Sequence, residues 1–188
     1  MKKLSGRFLL SVGIVAGCVA CQDNDVKPVE APPSTKLDGT YDVISITCDY
    51  PIDLDRDGNP SFDLLAETHE ASHTSRYYLE FKTEIYDRDP DPDFYDQEID
   101  LWIPFTNVFK DASGDFLDVK YGFTNLLARY RYDETTGNVS ILRNLGNGEV
   151  VSGHVISEDT LSMQFKAYFY STKGWETLPL NGIYKRRP

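Results

Sequence analysis

Tyr77-Tyr78-Leu79-Glu80-Phe81-Lys82-Thr83-Glu84-Ile85 is the stretch that decides the fold class. Tyr77, Leu79, Phe81, Thr83 and Ile85 alternate with Tyr78, Glu80, Lys82 and Glu84. Successive side chains of an extended strand point to opposite faces, so this period of two gives one apolar face and one wet face. That is the signature of a strand in an antiparallel sheet packed on one side only.

The same alternation recurs outward from this stretch. Upstream, Thr40 to Tyr50 is β-rich, with Tyr41, Val43, Ile44, Ile46 and Cys48. Downstream, Ile99, Leu101, Ile103 and Phe105 alternate with Glu98, Asp100 and Trp102. Residues 116–133 hold two strand-like halves around Thr124-Asn125, namely Leu117/Val119/Tyr121/Phe123 and Ala128/Tyr130/Tyr132. Val139 and Ile141 follow, then Val151, Gly153 and Val155. Leu161, Met163, Phe165, Ala167 and Phe169 make another clean run, and Leu178, Leu180, Gly182 and Tyr184 make the last.

Turn chemistry separates these runs: Asp87 to Asp93 with its two prolines, Asp111 to Asp115, Thr135-Thr136-Gly137-Asn138, Gly146-Asn147-Gly148, Glu158-Asp159 and Thr172-Lys173-Gly174. Many short strands with closely spaced turns indicate an all-β domain. Sequential hairpins favour an up-and-down barrel, which also removes exposed edges. The expectation is an eight- to nine-stranded antiparallel barrel over residues 37–188, with a long loop and short helix after the first strand.

That loop, Asp53 to His73, holds the densest chemistry. Asp53-x-Asp55-x-Asp57-Gly58 places carboxylates at alternate positions of a tight loop, as at the start of a calcium loop whose seventh position, here Asn59, supplies a carbonyl. The twelfth position is Leu64, with Asp63 one residue early, so Asp63 or Glu67 has to close any site. The expected structural Ca2+ ligands are Asp53, Asp55, Asp57, Asn59 and Asp63; the competing reading is an ordinary acidic turn.

His69-Glu70-Ala71-Ser72-His73 has the spacing of a zinc helix, with His69 and His73 as ligands and Glu70 as general base. A short helix-like run, a strand beginning near Tyr77 and the lack of a following third ligand weigh against it. The chain is therefore expected to be non-catalytic, with a zinc metallopeptidase as the alternative. The acidic run Asp87 to Asp96 reads as a solvated loop, or as a second cation site.

The N-terminus carries a positive n-region, Lys2, Lys3 and Arg7, and an apolar run from Phe8 that is too short to span a bilayer, which takes about 20 residues. Val15-Ala16-Gly17-Cys18 and Cys18-Val19-Ala20-Cys21 resemble a bacterial lipobox. That resemblance implies a signal peptide over residues 1–20 and a lipidated cysteine. The apolar run continues to Ala20 and the acidic Gln22-Asp23-Asn24-Asp25 follows Cys21, so Cys21 is preferred, with Cys18 as the alternative. The acidic stretch also looks like the surface-export signal of Bacteroidota lipoproteins. Each buried acyl CH2 contributes about 0.8 kcal/mol, so more than one chain anchors stably. Residues 21–36, rich in proline, read as a flexible tether. Cys48, left alone, cannot form an internal disulfide and reads as a small buried hydrophobe.

Leu37-Asp38-Gly39-Thr40-Tyr41-Asp42-Val43 resembles the entry strand of lipocalin-like barrels. Asn181-Gly182-Ile183-Tyr184-Lys185-Arg186 resembles their closing strand, where a basic residue covers the barrel end near the first aromatic. Asp53 to Gly58 followed by Asp63-Leu64-Leu65 is similar to a segment of lipocalin-like (calycin-type) lipoproteins of Bacteroidota. The resemblance implies a lipid-anchored barrel in the outer membrane, on its periplasmic or cell-surface face.

Charge narrows the partners. The chain has 19 basic and 30 acidic residues, a net of −11. Removing Lys2, Lys3 and Arg7 leaves 16 against 30, about −14. Nucleic acid needs a basic footprint and is excluded. The aromatic content, 13%, suits a barrel that binds a small apolar or glycan ligand, with Trp102 and Trp175 as contacts where exposed. The other readings are an envelope protein partner, or a structural part of an outer-membrane complex with no ligand cavity. Asp159-Thr160-Leu161 resembles a Bacteroidota O-glycosylation sequon.

Overall fold

Alternation along Tyr77–Phe81 becomes burial: Tyr77, Leu79 and Phe81 are buried while Tyr78 and Glu80 are partly exposed. A computed structural model of the protein describes residues 35–68, 77–85, 95–146 and 148–188. Cys18, Cys21, His69, Glu70, His73, Asn147 and the acidic loop as far as Phe94 lie outside the described residues. The chain divides into residues 1–30 and a second unit, 31–188, which holds every element below.

The elements are β1 (Gly39–Ile52), β2 (Ser61–Asp63), α1 (Leu64–Glu67), β3 (Tyr78–Ile85), β4 (Tyr95–Lys110), β5 (Phe116–Asp133), β6 (Asn138–Asn144), β7 (Glu149–Ser157), β8 (Thr160–Ser171) and β9 (Gly174–Arg186). Each strand from β3 to β9 pairs antiparallel with the next. β1 pairs with both β3 and β9, so eight strands close a ring. β2 lies on the same edge of β1 as β3, farther along, opposite Thr47 and Ile52. The expected all-β antiparallel barrel, with a short helix after its first strand, is what the chain forms. Among the described residues no helix is long and apolar enough to cross a membrane.

The inward faces form one packed core. Ile46, Leu79, Ile99, Leu101, Met163, Phe169, Leu178 and Tyr184 have no exposed surface. Burying an aliphatic or aromatic side chain of this size contributes about 1.5–3 kcal/mol. Two glycines make the layer around Met163 possible. Gly153 and Gly182 flank Met163 in register, one on each neighbouring strand. A Cβ at Gly182 would lie 2.8 Å from Cζ of the Tyr184 ring, and one at Gly153 would collide with Sδ of Met163. The missing side chains are the space these two large groups occupy.

Both barrel ends are covered by chain. At one end, residues 35–38 form a turn in which Thr35 Oγ1 donates to Asp38 at 2.8 Å and Thr83 Oγ1 donates to Asp38 at 3.0 Å. Leu37 is buried beneath it, and the Tyr41 hydroxyl donates to its carbonyl at 3.0 Å. The Arg186 guanidinium lies 5.2 Å from the Tyr41 ring centre and donates to the Asp38 carbonyl. At the other end, the chain after β1 buries Leu54, Leu64 and Leu65.

Several details depart from the alternation, among them Leu117 and Phe123, which are 62% and 53% exposed. Residues 116–133 make one strand, with Thr124-Asn125 in its middle. In β7, Val150 is 1% exposed and Val151 39%, because a register shift between Val150 and Ser152 reverses the face expected for Val151. The helix-like run from Ser61 opens as β2; α1 begins only where Asp63 caps it, accepting from the amides of Leu65 and Ala66. Cys48 is buried, and burial pushes its thiol pKa up to about 12, so the thiolate nucleophile is not available at neutral pH.

Gly182→Ala is expected to destabilise the fold by about 1–3 kcal/mol through overpacking against Tyr184. Tyr184 Oη is buried with no hydrogen-bond partner among the described residues. Tyr184→Phe is therefore expected to leave stability unchanged or raise it. Urea unfolding of the two variants checks both, and a lower midpoint for Tyr184→Phe than for Gly182→Ala contradicts this account of the layer.

Candidate functional site

The chain after β1 crosses the barrel end and is tied down at each step. Leu54 has its N–H bonded to Glu67 Oε2 at 2.8 Å and its carbonyl accepting from the Tyr121 hydroxyl at 2.7 Å. Arg56 has a left-handed backbone, φ +64°, uncommon for a side-chain-bearing residue. Its guanidinium sits 4.0 Å from the Phe116 ring centre and 5.0 Å from that of Tyr170, and donates to the Ser171 carbonyl at 3.2 Å. Cation–π contacts of this kind contribute about 0.5–2 kcal/mol. Arg56 thus links the excursion to both β5 and β8.

The acidic residues of this segment separate into two groups. Carboxylate oxygens of Asp53, Asp55 and Glu67 lie within 4.8 Å of one another. Glu67 is 3% exposed, and Asp53 Oδ1 is buried with no partner among the described residues. Desolvation raises the Glu67 pKa above the ordinary glutamate value, opposed by the Leu54 N–H bond and reinforced by the Asp55 and Asp53 charges. The Asp57 and Asp63 carboxylates are not in this cluster. Asp57 accepts from the Asn59 amide at 2.7 Å in an exposed turn, and Asp63 is committed to capping α1. Of the two residues open to close the loop, Asp63 and Glu67, it is Glu67 that converges with Asp53 and Asp55, while the Asp57 and Asp63 side chains lie outside the cluster. A short helix swings Glu67 back over the loop, which linear spacing does not encode. All-oxygen donors of this kind suit a hard cation such as Ca2+.

The second site was not legible as a motif. β6 ends at Asn144 and β7 begins at Glu149, whereas β5 reaches back to Phe116 and β8 runs on to Ser171. Pairing of β5 with β6 starts at Ala128, and pairing of β7 with β8 stops at Lys166. Beyond those points the edges of β5 and β8 face each other across a slot in the barrel wall. The Asn144 side chain closes the slot's inner end, accepting from the Val150 amide at 2.8 Å and donating to its carbonyl.

A cleft of about 300 Å3 fills the slot, lined by Ile103, Phe105, Leu126, Ala167, Tyr168 and Trp175, with Pro104, Thr124 and Asn125. This volume is at the lower end for ligand sites, roughly 300–1,000 Å3. Its floor is core: Ile103, Leu126 and Ala167 are buried. Its rim is aromatic: Tyr168 and Trp175 stack at 5.7 Å, yet are 57% and 47% exposed. Phe105 continues the inward face of Ile99, Leu101 and Ile103, but that face opens into the slot. Trp175 meets the condition of exposure set for the tryptophans. Trp102 is half-buried between Tyr78 and Phe123, at 5.7 and 5.6 Å. Unequal strand lengths across the turn at Gly146–Gly148 were the available signal.

Comparison with protein-family models, with curated proteins and with solved structures gives no match.

Proposed function

We propose that the chain is a lipid-anchored, non-catalytic binding lipoprotein of the outer membrane, and that its ligand occupies the slot between β5 and β8. The observation that carries this reading is the exposed Tyr168–Trp175 stack beside a floor of core side chains. Exposed aromatic pairs next to an apolar hollow are unfavourable in water and mark binding sites. The lining holds no acid, base or thiol to act on a bound molecule beyond the Tyr168 phenol. Stacking on Tyr168 and Trp175 suits any group with a flat apolar face, including a sugar ring.

A protein with Trp102→Phe has Trp175 as its one tryptophan. Its emission is expected to shift and saturate on titration with members of one ligand class among oligosaccharides, fatty acids and peptides. Trp175→Ala, on an exposed position, should weaken that binding about tenfold or more without loss of the β-sheet circular dichroism signal. Silence across all three classes sinks the reading.

The lipid anchor rests on the apolar run and the small residues before Cys21. Palmitate labelling of the native chain in a lipoprotein-processing bacterial host should persist in Cys18→Ser and vanish in Cys21→Ser; a native chain that takes no label removes the anchor.

A second reading concerns Asp53, Asp55 and Glu67, favoured by the buried, unpartnered Asp53 Oδ1. We propose a structural Ca2+ there, pinning the excursion over the barrel end. A cation that binds only the folded state raises the melting temperature. Millimolar calcium is expected to raise it by several degrees and chelator to reverse this. Glu67→Gln, which keeps an acceptor for the Leu54 N–H, should abolish the response, and an unchanged melting temperature in the native chain contradicts the site.

A further inference from the structure

The slot is bounded by two strand edges that have no strand neighbour among the described residues, and we propose that its occupant is an extended peptide segment of a partner protein, added as a strand between β5 and β8. This rests on the slot being the ligand site and names the class of partner it takes.

Edge polarity is the first support. Leu145 donates its N–H to the Leu127 carbonyl at 2.8 Å, so Leu127 directs its backbone polar groups away from β4. Backbone direction alternates along a strand, so Asn125 and Phe123 direct theirs to the same side. The Gly146 position, 4.0 Å by its Cβ direction from the Asn125 carbonyl oxygen, agrees. On β8 the Lys166 carbonyl faces the Gly148 position at 3.2 Å, so Tyr168 and Tyr170 face the slot in turn. No backbone partner on this side is seen for these four residues among the described residues. Two rows of donors and acceptors beside an apolar floor are what an added strand satisfies. An acyl chain uses the floor and leaves both rows unmatched, and sugar hydroxyls meet them without the regular spacing of a strand.

Side-chain chemistry narrows the segment. Ala167 and Thr124 are small and leave room above the floor, so apolar residues at alternate positions of the segment point inward. No charged residue lines the cleft, although the chain carries a net charge of −11. An uncharged segment therefore enters without stripping water from a charge. At the slot's outer end Arg56 is held over Phe116 and Tyr170, whose rings stack at 5.8 Å.

The test uses the purified full chain and a displayed library of random heptapeptides. Enrichment of sequences with apolar residues at alternate positions is expected. A synthetic copy of the strongest sequence should shift Trp175 emission in the Trp102→Phe chain. N-methylation of its alternate amides, in one of the two registers, should weaken binding at least tenfold with every side chain unchanged. Tyr168→Pro, which deletes one slot-facing N–H on an edge, should weaken it similarly, and the methylated peptides test the same bonds should that variant not fold. Binding that tolerates methylation in both registers overturns the proposal. So does absence of enrichment while a sugar or fatty acid shifts Trp175, which leaves the slot as a small-ligand site. If neither peptides nor small ligands shift Trp175, the binding reading falls as well. Self-association abolished by Tyr168→Pro assigns the slot to a second copy and also overturns the proposal.

Discussion

The pairing of β9 with β1 is the constraint on which the rest depends. Seven residue pairs from Tyr41–Arg186 to Cys48–Leu180 join the two ends of the domain. Loop closure over such a separation is entropically unfavourable until many contacts form together. The compensation is the packed interior, which exists only when the ring is shut. The same closure brings Arg186 onto Tyr41 and holds the turn at residues 35–38 over one end. An open sheet of these strands would expose the inner faces of β1 and β9 together.

A shut ring does not require strands of equal length, and the inequality makes the candidate site. β5 has 18 residues and β8 has 12, while β6 and β7 between them have 7 and 9. The short hairpin completes the wall only along part of its height. Above it each long strand continues with no neighbour on its slot side among the described residues, and core side chains become the floor of an opening. The excursion after β1 supports the far side, since Tyr121 bonds to Leu54 and Arg56 bridges Phe116 and Tyr170. The acidic cluster lies on the segment folded over this barrel end, and Arg56 and Leu54 of that segment tie it to the strands that bound the slot.

The strands were legible because alternation is a local property. Leu161 to Phe169 and Leu178 to Tyr184 could be placed on a face from residue identity alone, and each is buried as the pattern requires. Legibility failed where the backbone changes register. Val150 takes the buried place expected of Val151 because two residues of β7 occupy the span of one on β8. The calcium set was half legible: Asp53 and Asp55 are neighbours in a loop, whereas Glu67 arrives by way of a helix whose cap consumes Asp63.

By itself the sequence determined that the chain is all-β, that its strands follow one another as hairpins, and that the segment after the first strand concentrates carboxylates. These follow from side-chain periodicity and turn chemistry, which act over a few residues. Only the tertiary structure decided that Glu67 and not Asp63 joins Asp53 and Asp55, that Tyr168 and Trp175 stand beside an opening, and which strand edges lack partners among the described residues. Those depend on how far each strand pairs with its neighbour, and that extent is settled by closure of the whole ring.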